Sequence, residues 1–455
     1  MARFPWNSLA KMPFLYDTVR VKVLLLLAGQ SKRFWPLREK SLFPICGGTL
    51  LEHQIARLRS AGLTDILLVG GAHNLAPIQA LYPTIPACEQ ERLELGMRGA
   101  LLSALPQCGD EPVMVVSGND VISPNGYVSL LRVAEGKGVS GALLARRVER
   151  YFPGGYLTLK GERITGIIEK PGEGKEPSDL VNIVAHVHKS PAALLEALQR
   201  LDESRDDGYE QALQKLFDVH EYRASPYEGD WQAVKYPWHL LSLLPMFLEE
   251  ITAQTVHPTA SVHPTAVITG NVALAEGVKV LPHATIVGPC YVGKNSIIAN
   301  NALVRGSSVG EECVVGFSSE IKASILHSHV WTHMGYIGDS IIGHNVSFGG
   351  GSTTGNLRLD EEEISSVVGG EKIATGLTKF GTAIGDHCRF GIHTSINPGI
   401  KIGGGTFVSS GSLLEEDIPD GSFARMHEGA LHISKNRVQP PDSASREQYR
   451  SKVAR

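Results

Sequence analysis

The stretch "VHPTASVHPTAVITGNVALAEGVKV" (residues 256–280) carries a branched apolar residue at every sixth position. The first run continues without a break to residue 298, as Val256, Val262, Ile268, Leu274, Val280, Ile286, Val292 and Ile298. A second run with the same step follows later in the chain, as Ile384, Phe390, Ile396, Ile402, Val408 and Leu414. A step of six matches neither the period of a helix nor that of a strand. It predicts a hexapeptide β-helix, in which each unit forms one short strand and a turn and points its branched residue into a prism.

The six-residue spacing is lost in "NLRLDEEEISSVVGGEKIATGLTKF" (356–380). An insertion in a solenoid has to leave as a surface loop, and the strand-like "EISSVV" followed by "GGE" predicts a protruding hairpin. The sequence therefore predicts a β-helix domain over residues 253–425 with a hairpin insertion at 356–380. Residues 426–455, which end in a polar and basic segment, are predicted to be a disordered tail.

The first half of the chain alternates strand-like and helix-like stretches. "VKVLLLLAG" (21–29) and "DILLVGG" (65–71) read as buried strands, and "TLLEHQIARLRSAG" (49–62) between them reads as an amphipathic helix. Strands separated by helices imply βαβ units and a mainly parallel sheet. A helix over 236–251 is expected to close this domain, which gives boundaries at 21–252 and leaves residues 1–20 as an N-terminal extension.

Composition limits the class of protein and its partners. A chain of 455 residues is too long for one ordinary core. A net charge of -4 offers no basic surface, which argues against a nucleic-acid partner. The apolar run 21–28 is far shorter than the ~20 residues that cross a membrane. Six scattered cysteines suggest reduced thiols in the cytoplasm.

The stretch "LLLLAGQSKRFWPLREKSLFPICGGTLLEH" (24–53) places a loop of small and basic residues after the first strand. Loops at the carboxyl end of strands in an open α/β sheet are where nucleotides bind. Gly29 would let backbone N–H groups approach phosphate oxygens, and Arg33 and Lys40 would neutralise a triphosphate. A surface loop with solvated charges is the alternative.

This stretch resembles the LAAGxGTRxxPLTxxxPKxLxP signature of sugar-1-phosphate nucleotidyltransferases. Further segments match in the same order: "GND" (118–120) resembles the metal-binding GD motif, "EKP" (169–171) the EKP motif, and "WQAVKYPWHLL" (231–241) the closing motif. Asn182 resembles the asparagine that contacts the sugar. The similarity covers about residues 21–250 and implies a Rossmann-like α/β nucleotidyltransferase domain.

The family joins a sugar 1-phosphate to a nucleoside triphosphate and releases pyrophosphate, largely by positioning and charge neutralisation. The resemblance implies the following roles: Arg33 and Lys40 for the phosphates, Ala28 and Gly29 for the nucleotide, Asp120 for Mg²⁺, Glu169 and Asn182 for sugar hydroxyls, and Lys170 for the sugar phosphate. Ala233 stands where a carboxylate often forms the second metal ligand, and Glu91 and Ser31 also depart from the motifs. A sugar-nucleotide-binding domain without turnover therefore stays an alternative.

In the second half, "SSEIKASILHSHVWTHMGYIGDSIIGHNVSFGGGSTTGNLRLD" (318–360) resembles the acetyltransferase half of GlmU-type enzymes, above all the archaeal bifunctional ones. "HMGYIGDS" (333–340) is similar to their HLxYIGDA, and "FGGGSTTGN" (348–356) to their IGAGTITxN. The resemblance implies a left-handed prism, acetyl-CoA as co-substrate and assembly as a homotrimer.

The same resemblance implies residue roles in acetyl transfer. His333 would be the general base that deprotonates the amino group of the sugar. Tyr336 and Asn356 would orient the sugar or stabilise the oxyanion. The sugar phosphate would be bound by three cations: Arg305, Lys322 and Lys379. Asp339 reads as a turn former.

Together these patterns predict acetylation of an amino-sugar 1-phosphate coupled to transfer of a nucleotide from UTP or dTTP, with UDP-N-acetylglucosamine as the expected product. Two alternatives stay open: a nucleotidyltransferase whose β-helix serves only for assembly, and a sugar-nucleotide sensor with a decayed first domain. An adenosine nucleotide is also compatible with the sequence.

Overall fold

The computed structural model describes residues 20–202 and 207–453, so the predicted extension lies outside the described residues except for Arg20. These residues form two compact units, one of residues 20–30 and 51–233, the other of residues 31–50 and 234–453. None of the helices in the described ranges combines the length and the apolar character that a membrane span requires.

The elements of the first half are short strands joined by helices and loops. The strands are β1 (Lys22–Leu26), β2 (Pro44–Ile45), β3 (Gly48–Thr49), β4 (Ile66–Gly70), β5 (Ala87–Glu89), β6 (Val113–Ser117), β7 (Asp120–Ile122), β8 (Gly141–Arg147), β9 (Gly155–Lys160), β10 (Arg163–Glu169), β11 (Leu180–His188), β12 (Tyr222–Pro226) and β13 (Trp231–Ala233). The α-helices of the described chain are α1 (Leu50–Ser60), α2 (Leu75–Leu81), α3 (Gly96–Ala104), α4 (Pro124–Ala134), α5 (Pro191–Gln199), α6 (Gly208–Val219), α7 (His239–Leu248) and α8 (Glu447–Val453).

The first unit is built on a nine-stranded sheet in the order β5-β4-β1-β6-β11-β8-β12-β10-β9. Strands β5, β4, β1 and β6 are parallel, as the βαβ pattern predicts. In the rest of the sheet β8 and β12 are also parallel to each other, but β11 and β10 run in the opposite direction to their neighbours, so the sheet is mixed. Only two residues connect β9 to β10, and a connection this short can join only antiparallel strands.

The second unit contains a parallel β-helix with three faces, which the chain visits in turn. The first face holds Thr255–Val256, Val272–Leu274, Cys290–Val292, Ser308–Val309, Ile325–Leu326, Ile341–Ile342, Thr382–Ile384 and Ile400–Ile402. The second holds Ser261–Val262, Lys279–Val280, Ile297–Ile298, Val314–Val315, Ser347–Phe348, Arg389–Phe390 and Phe407–Val408. The third holds Val267–Thr269, Thr285–Val287, Leu303–Arg305, Glu320–Lys322, Tyr336–Gly338, Thr353–Thr354, Ser395–Ile396 and Leu413–Leu414.

The residues of the six-step series form the core of this prism. Leu274, Val280 and Ile286 are buried, whereas Val256 and Val262 in the first coil are 41% and 37% exposed. A terminal coil has a neighbouring coil on one side only, which accounts for that difference. Each coil pairs with the next in register, as in the pairing of Leu274 with Val292.

The insertion at 356–380 contains an antiparallel hairpin of Ser365–Val368 and Glu371–Ala374. Its first strand lies against the β-helix, because the Ser366 hydroxyl donates to the Gly399 carbonyl oxygen at 2.9 Å. The hairpin is therefore anchored along one strand rather than only at its two ends.

The expectation of a disordered tail from residue 426 is wrong. Ser422–His427 and Ala430–Lys435 form a hairpin that extends the second face, and α8 follows. The hairpin is held by strand pairing, because Phe423 and Ala424 pair with Phe407 and Val408. The segment before α8 is held by Arg446, whose buried guanidinium lies 4.2 Å from the centroid of the Trp331 ring and donates to the Ser347 hydroxyl at 2.7 Å. A cation held by an aromatic face and a hydroxyl keeps a polar segment in place.

The two units also divide the chain differently from the expected boundary at 252. Residues 31–50 and 234–252 belong to the unit that contains the β-helix. The backbone N–H of Cys46 donates to the Ser308 hydroxyl at 2.8 Å, and the Phe43 ring lies edge-on to His327 at 5.8 Å. Through these contacts the loop after β1 packs against the β-helix and belongs to the same unit.

Candidate active sites

The loop after β1 starts with Ala28, which is buried, and Gly29, which is exposed. A Cβ placed on Gly29 would meet no heavy atom within 4 Å, so the space beside this residue is open. The position at the carboxyl end of a parallel strand is the one predicted for nucleotide binding. The backbone here can therefore be approached closely by a phosphate group.

Asp120, the predicted metal ligand, lies in β7, and this strand pairs with β13. The indole N–H of Trp231 donates to Asp120 Oδ1 at 2.8 Å, and Ala233 sits directly opposite Asp120 in the strand register. The described residues contain no cluster of three or more side chains that could enclose a metal ion. A single carboxylate fits Mg²⁺, which commonly takes one or two protein carboxylates and completes its shell with water and substrate phosphates.

Glu169, Lys170 and Asn182 come together around Gly155 of β9. A Cβ on Gly155 would lie 3.0 Å from Asn182 Nδ2 and 3.3 Å from Glu169 Oε2, so glycine leaves room for both polar groups. Lys170 Nζ lies 2.9 Å from Glu169 Oε1. Burial, followed by the charge of Glu169, raises the pKa of Glu210 to about 7. The cluster can offer an acceptor, an amide donor and a cation to a phosphorylated sugar.

Arg33 and Lys40 belong to the second unit. The Arg33 guanidinium lies 5.8 Å from the centroid of the Tyr236 ring. Lys40 Nζ donates to the Val234 carbonyl oxygen at 3.3 Å. Their role as phosphate-binding cations stays a prediction.

The third face of the β-helix carries a connected polar cluster of Lys322, Tyr336, Asp339 and Asn356. The Asn356 amide donates to Tyr336 Oη at 3.0 Å and also to Asp339 Oδ2. Lys322 Nζ donates to the same Asp339 oxygen at 2.7 Å. Burial and then the Asp339 charge raise the pKa of Tyr336, so its hydroxyl stays protonated and can donate.

Arg305 and Glu320 extend this cluster along the same sheet. Arg305 pairs in register with Lys322, and Glu320 pairs with Tyr336. The Arg305 guanidinium donates to Glu320 Oε1 at 2.8 Å. Because residues two apart in a strand share one face, these side chains point outward on the same side of the prism.

His333 lies at the corner between the second and third faces, in the turn between Trp331 and Tyr336. Its side chain is exposed, and within the described ranges no hydrogen bond or ion pair engages the ring. The structure therefore places His333 three residues before Tyr336 without linking the two. The next residue, Met334, has φ 49° and is 51% exposed.

Lys379 lies at the base of the insertion. It forms a bridge with Leu357, and the next residue, Phe380, donates its backbone N–H to the Asn356 carbonyl oxygen at 3.1 Å. The long insertion thus returns the chain to Asn356. The exposed Lys379 bridges to Leu357, which is the residue after Asn356. The role of Lys379 as a phosphate-binding cation stays a prediction.

Sequence reasoning missed part of this arrangement. Asp339 was predicted as a turn former, and its φ of 47° agrees with a turn, but its carboxylate also joins Lys322 to Asn356. The distance along the chain could have indicated this contact, because Lys322 and Asp339 are one coil apart. Lys322 pairs with Gly338 on the neighbouring coil, and Asp339 is the next residue. Glu320 and Trp231, which contact Arg305 and Asp120, carried no comparable signal.

The chain is similar to known proteins over most of its length. The MobA-like NTP transferase domain family matches residues 23–223. A bifunctional protein GlmU from Methanococcus vannielii is 31% identical over 414 residues, which cover 88% of this chain and 96% of that protein. A bifunctional sugar-1-phosphate nucleotidylyltransferase/acetyltransferase from Sulfurisphaera tokodaii is 28% identical over 414 residues, covering 89% of this chain and 100% of that protein. A crystal structure of apo UDP-glucose pyrophosphorylase overlaps 50% of this chain and 99% of its own, with a TM-score of 0.44 and 16% identity.

Proposed function

This chain belongs to the family of bifunctional GlmU proteins, and we propose on that premise that it catalyses two transfers to one sugar. The first half would join a sugar 1-phosphate to a nucleoside triphosphate, and the β-helix would acetylate the amino group of an amino-sugar 1-phosphate. UTP and glucosamine 1-phosphate are the proposed substrates, although dTTP would fit the same chemistry, and UDP-N-acetylglucosamine is the proposed product. The six cysteines, which are buried free thiols, support a reducing cytoplasm as the location.

The observation that carries the acetyl-transfer proposal is the cluster of Lys322, Tyr336, Asp339 and Asn356 beside the corner that bears His333. An amine must lose a proton before its nitrogen attacks a thioester, and an exposed imidazole at this corner can accept that proton. Tyr336 would donate a hydrogen bond to the sugar or to the developing oxyanion. Asn356, whose two amide N–H groups are held by Tyr336 and Asp339, would orient the sugar by accepting a hydrogen bond at its side-chain oxygen. His333 would take the proton of the amine as the nitrogen bonds to the acetyl carbon, the bond between that carbon and the sulfur of acetyl-CoA would break, and CoA would leave as the thiol with the proton returned by His333.

The phosphate of the amino sugar would bind Arg305 and Lys322, with Lys379 nearby. Each of the first two already has a carboxylate partner, Glu320 and Asp339 respectively. Arginine has five N–H donors and lysine three, so both can hold a carboxylate and a phosphate oxygen at once. The carboxylates would keep the cations aligned before the substrate arrives.

The exposed apolar residues near His333 support assembly as a homotrimer. Phe317, Met334 and Ile392 occupy this corner in different coils and are 47%, 51% and 53% exposed. A row of large apolar side chains along one edge is the kind of surface that a second copy covers. In such an assembly His333 would face a neighbouring subunit, and acetyl-CoA would bind between the two.

For nucleotide transfer we propose that Asp120 holds Mg²⁺ and that Glu169 and Asn182 hold sugar hydroxyls. Mg²⁺ bound there would neutralise phosphate charge. Arg33, Lys40 and Lys170 would supply further positive charge, and the backbone of Ala28 and Gly29 would approach the nucleotide. These residues would bind and orient the substrates, while the phosphate chemistry needs no covalent partner from the protein.

A second candidate for the first half is sugar-nucleotide binding without turnover. The observation that favours it is Ala233, which lies opposite Asp120 where a second carboxylate would have stood beside the metal. Weaker metal binding would lower the rate of transfer more than it lowers binding of a nucleotide sugar. Pyrophosphate release separates the two candidates.

The test measures pyrophosphate release with UTP or dTTP and glucosamine 1-phosphate or its N-acetylated form, and CoA thiol release with acetyl-CoA and glucosamine 1-phosphate. Replacing His333 with Ala should reduce thiol release by at least about a hundredfold and leave pyrophosphate release intact. His283→Ala is the matched control, because His283 is exposed at the same corner of an earlier coil. Equal loss of both activities in the His333 variant would contradict the two-site proposal, and no pyrophosphate release from the unaltered protein would favour the binding alternative.

A further inference from the structure

Two histidines and two tyrosines are buried together beneath the predicted sugar site of the first unit. His186 and His188 are fully buried in β11, and Tyr209 of α6 and Tyr222 of β12 are 1% and 3% exposed. Both tyrosines belong to an otherwise apolar core. Burying four polar groups is costly unless each finds a partner, so their arrangement calls for an explanation beyond packing.

The four side chains form a continuous hydrogen-bonded chain that ends at Asn182. Tyr222 Oη lies 2.8 Å from His188 Nδ1, and His188 Nε2 lies 3.1 Å from Tyr209 Oη. Tyr209 Oη lies 2.8 Å from His186 Nδ1, and His186 Nε2 lies 2.6 Å from Asn182 Oδ1. We refer to these five residues as the buried relay.

Proton counting gives the relay a direction. Burial lowers the pKa of both histidines, so each ring is neutral and carries one N–H. With Asn182 Oδ1 facing His186, every bond is satisfied: the Tyr222 hydroxyl donates to His188, His188 donates to Tyr209, Tyr209 donates to His186, and His186 donates to Asn182.

The reverse direction leaves one group unpaired. It would require the Asn182 amide to rotate and donate its N–H to His186, and His188 would then donate to Tyr222 Oη. The Tyr222 hydroxyl would need another acceptor, and across residues 20–202 and 207–453 it has no partner other than His188. A buried hydroxyl without an acceptor is disfavoured, so the relay selects the orientation in which Asn182 Oδ1 points inward.

We propose that His186 and Tyr209 are positioning residues that fix the Asn182 amide with its Nδ2 donors towards the sugar, beside the Glu169 carboxylate. The site then presents one donor and one acceptor across Gly155, which suits two neighbouring hydroxyls of a hexose, one accepting from Asn182 and the other donating to Glu169. This inference rests on the proposed function, because it takes Asn182 as a sugar ligand.

The test compares two replacements of His186 that differ in hydrogen bonding. His186→Gln keeps an N–H that can donate to Asn182 and an oxygen that can accept from Tyr209, whereas His186→Leu keeps the bulk and removes both. We expect the Leu variant to raise KM for the sugar 1-phosphate about tenfold, which corresponds to about 1.4 kcal/mol, and to leave KM for the nucleoside triphosphate unchanged. The Gln variant should restore most of the loss. A packing role predicts the opposite order, because leucine suits a core better than glutamine does.

Controls separate this inference from the proposed function. Asn182→Ala should raise the same KM, and adding His186→Leu to it should have no further effect, since the relay would then have nothing to orient. Ser225→Ala removes another buried hydroxyl, hydrogen-bonded to Ser129 at 3.2 Å, and should leave KM unchanged. If the Leu variant fails to fold, Tyr209→Phe takes its place, with the same expected rise.

An unchanged KM in Asn182→Ala would overturn the sugar-binding role and the relay together. A raised KM in that variant with an unchanged KM in His186→Leu would overturn the relay alone. Equal effects of His186→Leu with and without Asn182 would also overturn it, because the histidine would then act independently of the amide.

Discussion

Asp339 joins two side chains of the proposed acetyl-transfer site through one carboxylate. Its backbone has φ 47°, a conformation that Asp and Asn tolerate better than most residues. Its side chain is 13% exposed and is paired with Lys322, which is 17% exposed. The turn conformation and the charge are therefore separable properties of this residue, and a substitution can remove one and keep the other.

Asp339→Asn should keep the turn and remove the charge. Losing a charge-assisted hydrogen bond weakens alignment by about 1.5–3 kcal/mol, so we expect CoA release to fall by roughly ten- to a hundredfold. Pyrophosphate release should not change. Asp360→Asn is the control, because its pair with Arg358 lies at the surface and such pairs contribute little. Unchanged CoA release in the Asp339 variant would remove this carboxylate from the site.

At the level of elements, the insertion hairpin is fastened to the β-helix by a buried lysine. Lys401 lies in the strand Ile400–Ile402 and its side chain is 3% exposed. Its ammonium group contacts the Asp417 carboxylate and the Val367 carbonyl oxygen and donates to the Ser366 hydroxyl at 3.2 Å. One charge thus connects the hairpin, the β-helix and the turn that contains Asp417.

Lys401→Met should lower the free energy of unfolding by about 3 kcal/mol, because a mostly buried carboxylate loses its partner. Amide hydrogen exchange at 365–374 should accelerate before the β-helix itself opens. Adding Asp417→Leu should recover much of the loss, since replacing both members of a buried pair with apolar groups is often close to neutral. The control is Lys294→Met, which breaks an exposed pair with Glu276. Equal stability of the Lys401 and Lys294 variants would contradict the proposal that Lys401 holds the hairpin against the β-helix.

The elements also show what the sequence can and cannot predict. The β-helix was predictable because every strand of every coil needs one apolar residue that points into the prism, and this need recurs at every sixth position of the sequence. Arg446 was not predictable, because its partners Trp331 and Ser347 lie about a hundred residues away and a polar segment has the same composition whether docked or disordered. The nucleotide loop was recognisable from its residue types, yet its contact with Ser308 is made by the backbone N–H of Cys46, which no residue type indicates.

The candidate sites divide in the same way. Tyr336 and Asn356 were predicted from motifs, and the structure joins them by a hydrogen bond. His186 and His188 read as ordinary residues of an alternating strand, because nothing local indicates that both would be buried and paired with tyrosines from α6 and β12. Such pairing is a property of the tertiary fold and cannot be inferred from neighbours in the chain.

Across the whole molecule, histidines that are held neutral occur in both units. Burial lowers the pKa of His188 to about 3 and that of His186 well below its usual value. In the β-helix the pKa of His327 and that of His329 are each lowered to about 4, first by burial and also by the positive charge that neighbouring histidines would carry. The Ser328 backbone N–H donates to His327 Nδ1 at 2.6 Å, which requires that nitrogen to be unprotonated.

These shifts predict a loss of stability in acid. Between about pH 6.5 and pH 4 the unfolded chain protonates these histidines while the folded chain does not, so the unfolded state binds more protons and the free energy of unfolding falls as pH falls. Each fully buried histidine contributes a slope of about 1.4 kcal/mol per pH unit, and the partly exposed ones contribute less. Denaturant unfolding from pH 7.5 to 4.5 should show this slope in the transitions of both units. His327→Asn should reduce it for the β-helix, whereas the exposed His283→Asn should not. A stability that stays constant from pH 6.5 to 4.5 would mean that the histidines protonate in the folded state, and the hydrogen bonds assigned to the neutral rings would then be wrong.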